Sequence, residues 1–84
     1  MYEVVLSRDA ARALGRLTPN MRARVFKALE QVGANPLAGK RLRGELEGLF
    51  GLRIGGMRAV YEVDSLQEVV IVHAIGSRGD IYKR

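Results

Sequence analysis

Cysteine is absent from this chain of 84 residues, which also lacks tryptophan and contains only two prolines and one histidine. Without thiols there is no disulfide framework, no thiolate metal site and no cysteine nucleophile. One histidine and no paired acidic motif leave too few ligands for a zinc or two-metal centre. The sequence therefore predicts a protein that is held together by packing and that uses neither a metal nor another cofactor.

Long hydrophobic runs are also missing. The longest, VVIVHAI from Val69 to Ile75, is too short to cross a bilayer. The first ten residues lack the basic segment, apolar stretch and cleavage site of a secretory signal. We therefore expect a cytoplasmic protein with no membrane partner. A chain of this length builds one core, so residues 1–84 are predicted to form a single domain.

Basic residues outnumber acidic ones by 14 to 9, which gives a net charge of +5 and a pI near 10.2. This excess favours a polyanionic partner, either nucleic acid or an acidic protein, although a solvated basic surface has the same composition. The densest cluster is KRLRG, with Lys40, Arg41 and Arg43 in a segment predicted to be a loop over residues 34–44. The loop either is simply solvated or contacts phosphates.

The first half of the chain has the pattern of one strand followed by two helices. Residues 2–6 favour a strand, and Ser7 is placed to cap a short helix that ends near Gly15. Thr18 and Pro19 predict the start of a second helix, which ends around Gly33. The connection between the helices is too short for any arrangement except an antiparallel pair.

From Leu49 onward apolar residues alternate with a period of two, as in strands. A hairpin turning on Gly55-Gly56 places Arg53 opposite Arg58 on one face, while the other face is apolar. The run from residue 69 to residue 75 is predicted to be an interior strand. The fold class is therefore α+β, with the N-terminal strand and antiparallel helix pair packed on a twisted, mainly antiparallel sheet of about four strands. The arginine pair lies on the face that the helices leave uncovered.

Like charges directly opposite each other destabilise a strand pair, so the two arginines favour an anionic ligand. Arginines can stabilise the extra negative charge of a phosphodiester transition state, and in RNA the 2′-hydroxyl supplies the nucleophile. The same pair can equally bind an acidic segment of a partner protein. His73 is interpreted as a satisfied core or sheet-face histidine rather than a base, and Glu45 and Glu47 as exposed charges. The arginines and tyrosine that suit phosphate chemistry are Arg53, Arg58, Arg78 and Tyr82, and neighbouring phosphates can be held by Lys40, Arg41, Arg43, Lys83 and Arg84.

The whole chain resembles the RelE/ParE toxin superfamily of bacterial and archaeal toxin-antitoxin systems. The similarity lies in the opening YEVVLSRDAARALGRL, the central NPLAGKRLRGELEGLFGLRIGGMRAVYEV and the closing VVIVHAIGSRGDIYKR. It implies two N-terminal helices packed on a twisted antiparallel sheet. By motif, it assigns phosphate and transition-state stabilisation to Arg53, Arg58 and Arg78, and base stacking to Tyr82.

One position departs from the family pattern. Two residues before Arg53, where RelE-type enzymes often have a basic residue that is a candidate general base, this chain has Gly51. Arginine holds its proton too tightly to act as a base. The base therefore stays open among Lys40, Lys83, Tyr82, His73 and water.

The resemblance implies three alternative functions. The first is a ribosome-dependent endonuclease that cleaves mRNA in the A site and is neutralised by a RelB-like antitoxin through an acidic segment. Operator DNA would then be contacted only through the complex with the antitoxin. The second is a ParE-like toxin that inhibits DNA gyrase by binding, which the absence of a basic residue at Gly51 favours. The third is a degenerate toxin that only binds antitoxin and operator DNA.

Overall fold

The computed structural model describes residues 1–77, which form two α-helices, two short 3₁₀ helices and five strands. None of the helices in this part of the chain has the length and hydropathy required to span a membrane. The elements in chain order are β1 (Glu3–Leu6), α1 (Arg8–Gly15), α2 (Pro19–Ala34), a 3₁₀ helix (Pro36–Ala38), β2 (Lys40–Arg41), a second 3₁₀ helix (Gly44–Leu46), β3 (Phe50–Ile54), β4 (Met57–Asp64) and β5 (Val69–Ser77).

Both α-helices begin where their capping residues predict. The Ser7 hydroxyl accepts a hydrogen bond from the backbone N–H of Ala10 at 3.0 Å, which satisfies a free donor of the first turn. Thr18 does the same for Met21 at 3.3 Å, and Pro19 occupies the first position of α2. The predicted helix starts are confirmed.

The turn between the helices is held by one arginine side chain of α2. Arg22 donates hydrogen bonds to the carbonyl oxygens of Leu14, Gly15 and Leu17 at 3.3, 3.2 and 3.0 Å. These carbonyls lie at the C-terminal end of α1 and just beyond it, where the regular helical hydrogen bonds end. Arg22 is therefore committed to the fold and is not a candidate for ligand binding.

The sheet has the strand order β1-β5-β4-β3-β2, with β1 parallel to β5 and every other pair antiparallel. The α+β class and the interior position of the 69–75 run are confirmed. The predicted count of about four strands is one too low, because Lys40 and Arg41 pair with β3 where a loop was predicted. Two residues are too few to show a periodicity in sequence, and only the partner strand reveals their pairing.

The core lies between the helices and one face of the sheet. It is closed by the apolar stripe of α2, by alternate residues of β3 and β4, as the period of two predicts, and by three residues of β5. The members that are buried are Ala10, Leu14, Val25, Leu29, Val32, Phe50, Ile54, Ala59, Tyr61, Val70, Val72 and Ile75. Val60 is not part of this cluster although it is only 4% exposed, so the opposite face of the sheet is also covered at its centre.

Tyr61 fastens the segment before β2 to the core. Its hydroxyl donates to the carbonyl oxygen of Pro36 at 2.8 Å and accepts from the backbone N–H of Gly39 at 2.9 Å. Its ring stacks on Phe50, with centroids 5.3 Å apart and planes 11° from parallel. A Cβ atom at Gly39 would lie 2.6 Å from the Tyr61 hydroxyl and 2.9 Å from the carbonyl oxygen of Gly51, so this close approach requires glycine.

Candidate anion-binding site

The hairpin that joins β3 to β4 brings the two central arginines together. Gly55 adopts a φ of 61°, a conformation that favours glycine and fits the first central position of a two-residue hairpin turn. Ile54 pairs with Met57, and Arg53 therefore pairs with Arg58. This is the register predicted from the sequence, with both arginine side chains on one face of the sheet.

A lysine joins the arginine pair from the edge strand. Lys40 pairs with Gly51, and because side chains alternate along a strand, Lys40 shares the face of Arg53 and Arg58. We call the side of the sheet that bears Lys40, Gly51, Arg53 and Arg58 the basic face. Lys40 and Arg53 are exposed, Arg58 is half-buried and Gly51 is buried. Three cations of β2, β3 and β4 are thus presented together on the side that the helices do not cover.

The other two cations of the KRLRG segment point elsewhere. Arg41 pairs with Phe50 and lies over the Phe50 ring, with the guanidinium carbon 5.6 Å from the ring centroid, on the opposite side of β2 from Lys40. Arg43 is exposed and, with Arg41 and Glu47, lines a separate depression of about 350 Å³. The structure therefore brings Lys40 to the arginine pair but not Arg41 or Arg43.

Four of the predicted site residues lie outside the part of the chain that the structure describes. Arg78 and Tyr82, predicted to act on the phosphate and the base, belong to this group, as do Lys83 and Arg84, predicted to bind RNA. Their roles stay predictions.

The charges of the basic face are compensated unevenly. At the far end of β4, Glu62 Oε1 is 2.9 Å from His73 Nε2, and His73 is the extra residue of an irregularity in the β4–β5 pairing at Val60/Tyr61. His73 therefore lies on the sheet face, in agreement with one of the two positions predicted for it. Neither the Lys40 side chain nor the Arg53 side chain makes a hydrogen bond or ion pair within residues 1–77. Within residues 1–77, the positive charges of Lys40 and Arg53 are therefore not compensated by a carboxylate.

A further arginine lies near the hairpin, and no sequence pattern signals its position. Arg24 of α2 is exposed, and its Nη1 atom lies 3.4 Å from the point where a Cβ of Gly55 would stand. A depression of about 200 Å³ lined by Arg53, Arg58 and the turn lies at this hairpin. The proximity depends on how α2 crosses the sheet, and periodicity alone does not report that crossing.

Burial raises the pKa of Tyr61, and the hydrogen bond from the Gly39 N–H partly opposes the rise. In the unfolded chain a tyrosine ionises near its ordinary pKa of about 10. Between that pH and the raised native pKa, the unfolded state binds fewer protons than the native state, so the free energy of unfolding decreases as pH rises.

We expect the urea midpoint of the protein to fall more steeply above about pH 10 than that of a Tyr61→Phe variant, whose position 61 does not titrate. At pH values below the pKa of tyrosine in the unfolded chain, the urea midpoints of the two proteins should change with pH in parallel. Urea unfolding at several pH values between 8 and 11 measures the difference. Equal slopes for the two proteins would contradict the assignment to Tyr61, because all other titrating groups are common to both.

Comparison with known proteins identifies the class of protein to which this sheet and helix pair belong. The model of the ParE toxin of type II toxin-antitoxin systems matches residues 4–82. The chain therefore belongs to the RelE/ParE superfamily. It is a toxin of a toxin-antitoxin system, as the sequence resemblance implied.

Solved structures of such toxins superpose on most of the chain. A chain of the toxin-antitoxin complex RelBE2 from Mycobacterium tuberculosis is 34% identical with a TM-score of 0.84, and the match covers 92% of this chain and 98% of that one. A chain of the intact RelBE complex of E. coli is 30% identical with a TM-score of 0.78, covering 92% and 96%. The isolated E. coli RelE toxin is 26% identical with a TM-score of 0.79, covering 92% and 84%. No curated protein sequence matches the chain.

Proposed function

We propose that this toxin is a metal-independent endoribonuclease that cleaves mRNA in the A site of the ribosome and so inhibits translation. The observation that carries the proposal is the pairing of Arg53 with Arg58 on the basic face, where the Arg53 side chain has no acidic partner within residues 1–77. Two guanidinium groups on adjacent strands suit a phosphate that gains negative charge as it reacts.

The proposed reaction uses the substrate's own nucleophile. The 2′-oxygen attacks the adjacent phosphorus, the bond from phosphorus to the 5′-oxygen breaks, and a 2′,3′-cyclic phosphate forms. Arg53 and Arg58 stabilise the extra charge on the non-bridging oxygens. The proton of the 2′-hydroxyl passes to a base, and the leaving 5′-oxygen takes up a proton. DNA lacks the 2′-hydroxyl, so this chemistry restricts cleavage to RNA.

The proposal includes a cognate RelB-like antitoxin that masks the toxin. An acidic segment of the antitoxin would neutralise Lys40 and Arg53, which lack partners within residues 1–77. A groove of about 460 Å³ between β1 and α2 offers an apolar surface to the same partner, and it includes the exposed Phe26. The solved relatives include toxin-antitoxin complexes, which supports a bound partner. Operator DNA would be reached only through the complex, and the ribosome as target places the toxin in the cytoplasm.

A second candidate is inhibition of DNA gyrase by binding. It is favoured by the match to the ParE toxin model. It is also favoured by Gly51, because β3 then lacks the basic side chain that RelE-type enzymes often have at that position. A basic face can bind a protein as well as a phosphate, so the two candidates predict different targets for the same surface.

The two candidates separate in one pair of measurements. Purified toxin added to ribosomes translating a defined mRNA is expected to produce breaks at A-site codons, seen by primer extension, with 2′,3′-cyclic phosphate or its hydrolysis product at the new end. Gyrase supercoiling in the presence of the same toxin is expected to be unaffected. Intact mRNA together with blocked supercoiling would overturn the endonuclease proposal in favour of the second candidate.

A further inference from the structure

The gap left by Gly51 on β3 lies directly beside an exposed lysine. On the basic face, β3 presents Arg53 and then, two residues earlier, a glycine with no side chain. The strand register places Lys40 of β2 opposite that glycine. Lys40 is thus the diagonal neighbour of Arg53, and such neighbours have Cβ atoms about 7–8 Å apart or somewhat less, within reach of long side chains.

Two uncompensated cations at this spacing repel each other. Within residues 1–77, no carboxylate makes an ion pair or hydrogen bond with either side chain, whereas Glu62 is engaged with His73. An anion placed between Lys40 and Arg53 would relieve this repulsion and bind both cations. Ammonium and guanidinium groups on stems of this length can both contact the oxygens of one phosphate.

We propose that Lys40 supplies, from β2, the cation that β3 lacks at Gly51, and that Lys40 and Arg53 together hold one phosphate of the bound RNA. This inference rests on the proposed function, since it assumes that RNA is the ligand. It assigns to Lys40 a contact with the substrate that neither Arg41 nor Arg22 is placed to make. Arg41 lies over the Phe50 ring on the other face of β2. The guanidinium group of Arg22 donates its hydrogen bonds to carbonyl oxygens of the turn between the helices.

The fold fixes Lys40 in place through the residue before it. The N–H of Gly39 donates to the buried Tyr61 hydroxyl, and Gly39 is packed against the Gly51 backbone so closely that a Cβ would collide with it. The edge strand β2 is only two residues long, so this contact, rather than an extended ladder, sets its position. A flexible loop would not hold a lysine at one register against Arg53.

Binding to an RNA that cannot be cleaved tests the inference. The probe is a fluorescently labelled single-stranded RNA decamer with 2′-O-methyl groups throughout, and its anisotropy is followed at several salt concentrations. Lys40→Gln is expected to weaken binding about tenfold at low salt, as for the loss of one charged hydrogen bond. It is also expected to reduce the slope of log K against log salt by about 0.7, the value for one phosphate contact on a single strand.

Matched variants show whether the effect belongs to this position. Lys40→Arg should bind as the wild type does, because it keeps the charge. Lys27→Gln, which removes an exposed cation from α2, should change neither affinity nor slope. In a double-mutant cycle with Arg53→Gln, two cations that share a phosphate should be coupled, so the double variant loses less affinity than the product of the single losses.

The inference is overturned if Lys40→Gln matches Lys27→Gln, if the cycle with Arg53→Gln is additive, or if the wild type does not bind the decamer at low salt. Cleavage of mRNA on the ribosome is scored separately. Loss of binding in Lys40→Gln combined with intact mRNA in the wild type would retain the inference and remove the proposed function. If the wild type cleaves mRNA and Lys40→Gln binds the decamer as the wild type does, the proposed function is retained and the inference is overturned.

Discussion

An Arg53→Ala toxin is expected to cleave ribosome-bound mRNA about 10²–10³-fold more slowly than the wild type, the loss found when one preorganised donor to a developing oxyanion is removed. Arg53 is exposed and makes no side-chain hydrogen bond or ion pair within residues 1–77, so the variant should retain its thermal stability. The cleavage rate is measured by primer extension over a time course at saturating toxin, which separates slow chemistry from weak binding.

Two further variants make the result specific to the guanidinium of Arg53. Arg53→Lys keeps the charge but loses the planar pair of donors, and is expected to recover only part of the rate. Arg16→Ala removes an exposed arginine at the end of α1, and should cleave as the wild type does. Full activity in Arg53→Ala, or an equal loss in Arg16→Ala, would show that the basic face does not hold the reacting phosphate.

Replacing Tyr61 with phenylalanine is expected to destabilise the fold by about 1–3 kcal/mol. The variant keeps the ring that stacks on Phe50, but it leaves the carbonyl of Pro36 and the N–H of Gly39 without their shared partner. In a domain of this size each kcal/mol corresponds to about 4–8 °C in Tm. Thermal unfolding followed by circular dichroism measures the shift.

Tyr2→Phe provides the control for removing a phenolic hydroxyl. Tyr2 packs against the core cluster, and within residues 1–77 its hydroxyl has no hydrogen-bond partner, so this variant should unfold close to the wild-type temperature. A Tyr61→Phe protein with an unchanged Tm would mean that the hydroxyl does not fasten the segment before β2. The position of Lys40 would then need another explanation.

The hairpin register and the helix starts were predictable because the signals are local. Gly55-Gly56 supplies the turn and alternation on both sides sets the pairing, so the opposition of Arg53 and Arg58 follows from a short stretch of sequence. Ser7 and Thr18 likewise cap helices within three residues of themselves. Each of these features is decided by neighbours along the chain.

The position of Lys40 was not predictable in the same way. Its pairing with Gly51 spans a loop, and its strand is two residues long and held by Tyr61, which lies far along the sequence. Without that pairing Lys40 and Arg41 appear as equivalent members of one basic cluster, whereas the structure places them on opposite faces. The approach of Arg24 to the hairpin turn also depends on tertiary packing, which no local pattern encodes.

The fold also does not determine whether the toxin cleaves RNA or inhibits gyrase. Both candidates use a basic face on the same sheet, and they differ in which partner supplies the negative charge. Only the chemistry of individual side chains separates them, which is why the variants of Arg53 and Lys40 are informative where the overall architecture is not.

The parallel pairing of β1 with β5 joins residues 3–6 to residues 69–72, whereas β2, β3 and β4 follow one another through short connections. Closing a long loop costs more chain entropy than closing a hairpin. The strands that carry Lys40, Arg53 and Arg58 therefore pair without the long loop closure that the pairing of β1 with β5 requires. The cations of the basic face thus lie on strands that are close in sequence. The long-range pairing in the sheet is made by β1 and β5, which carry none of these cations.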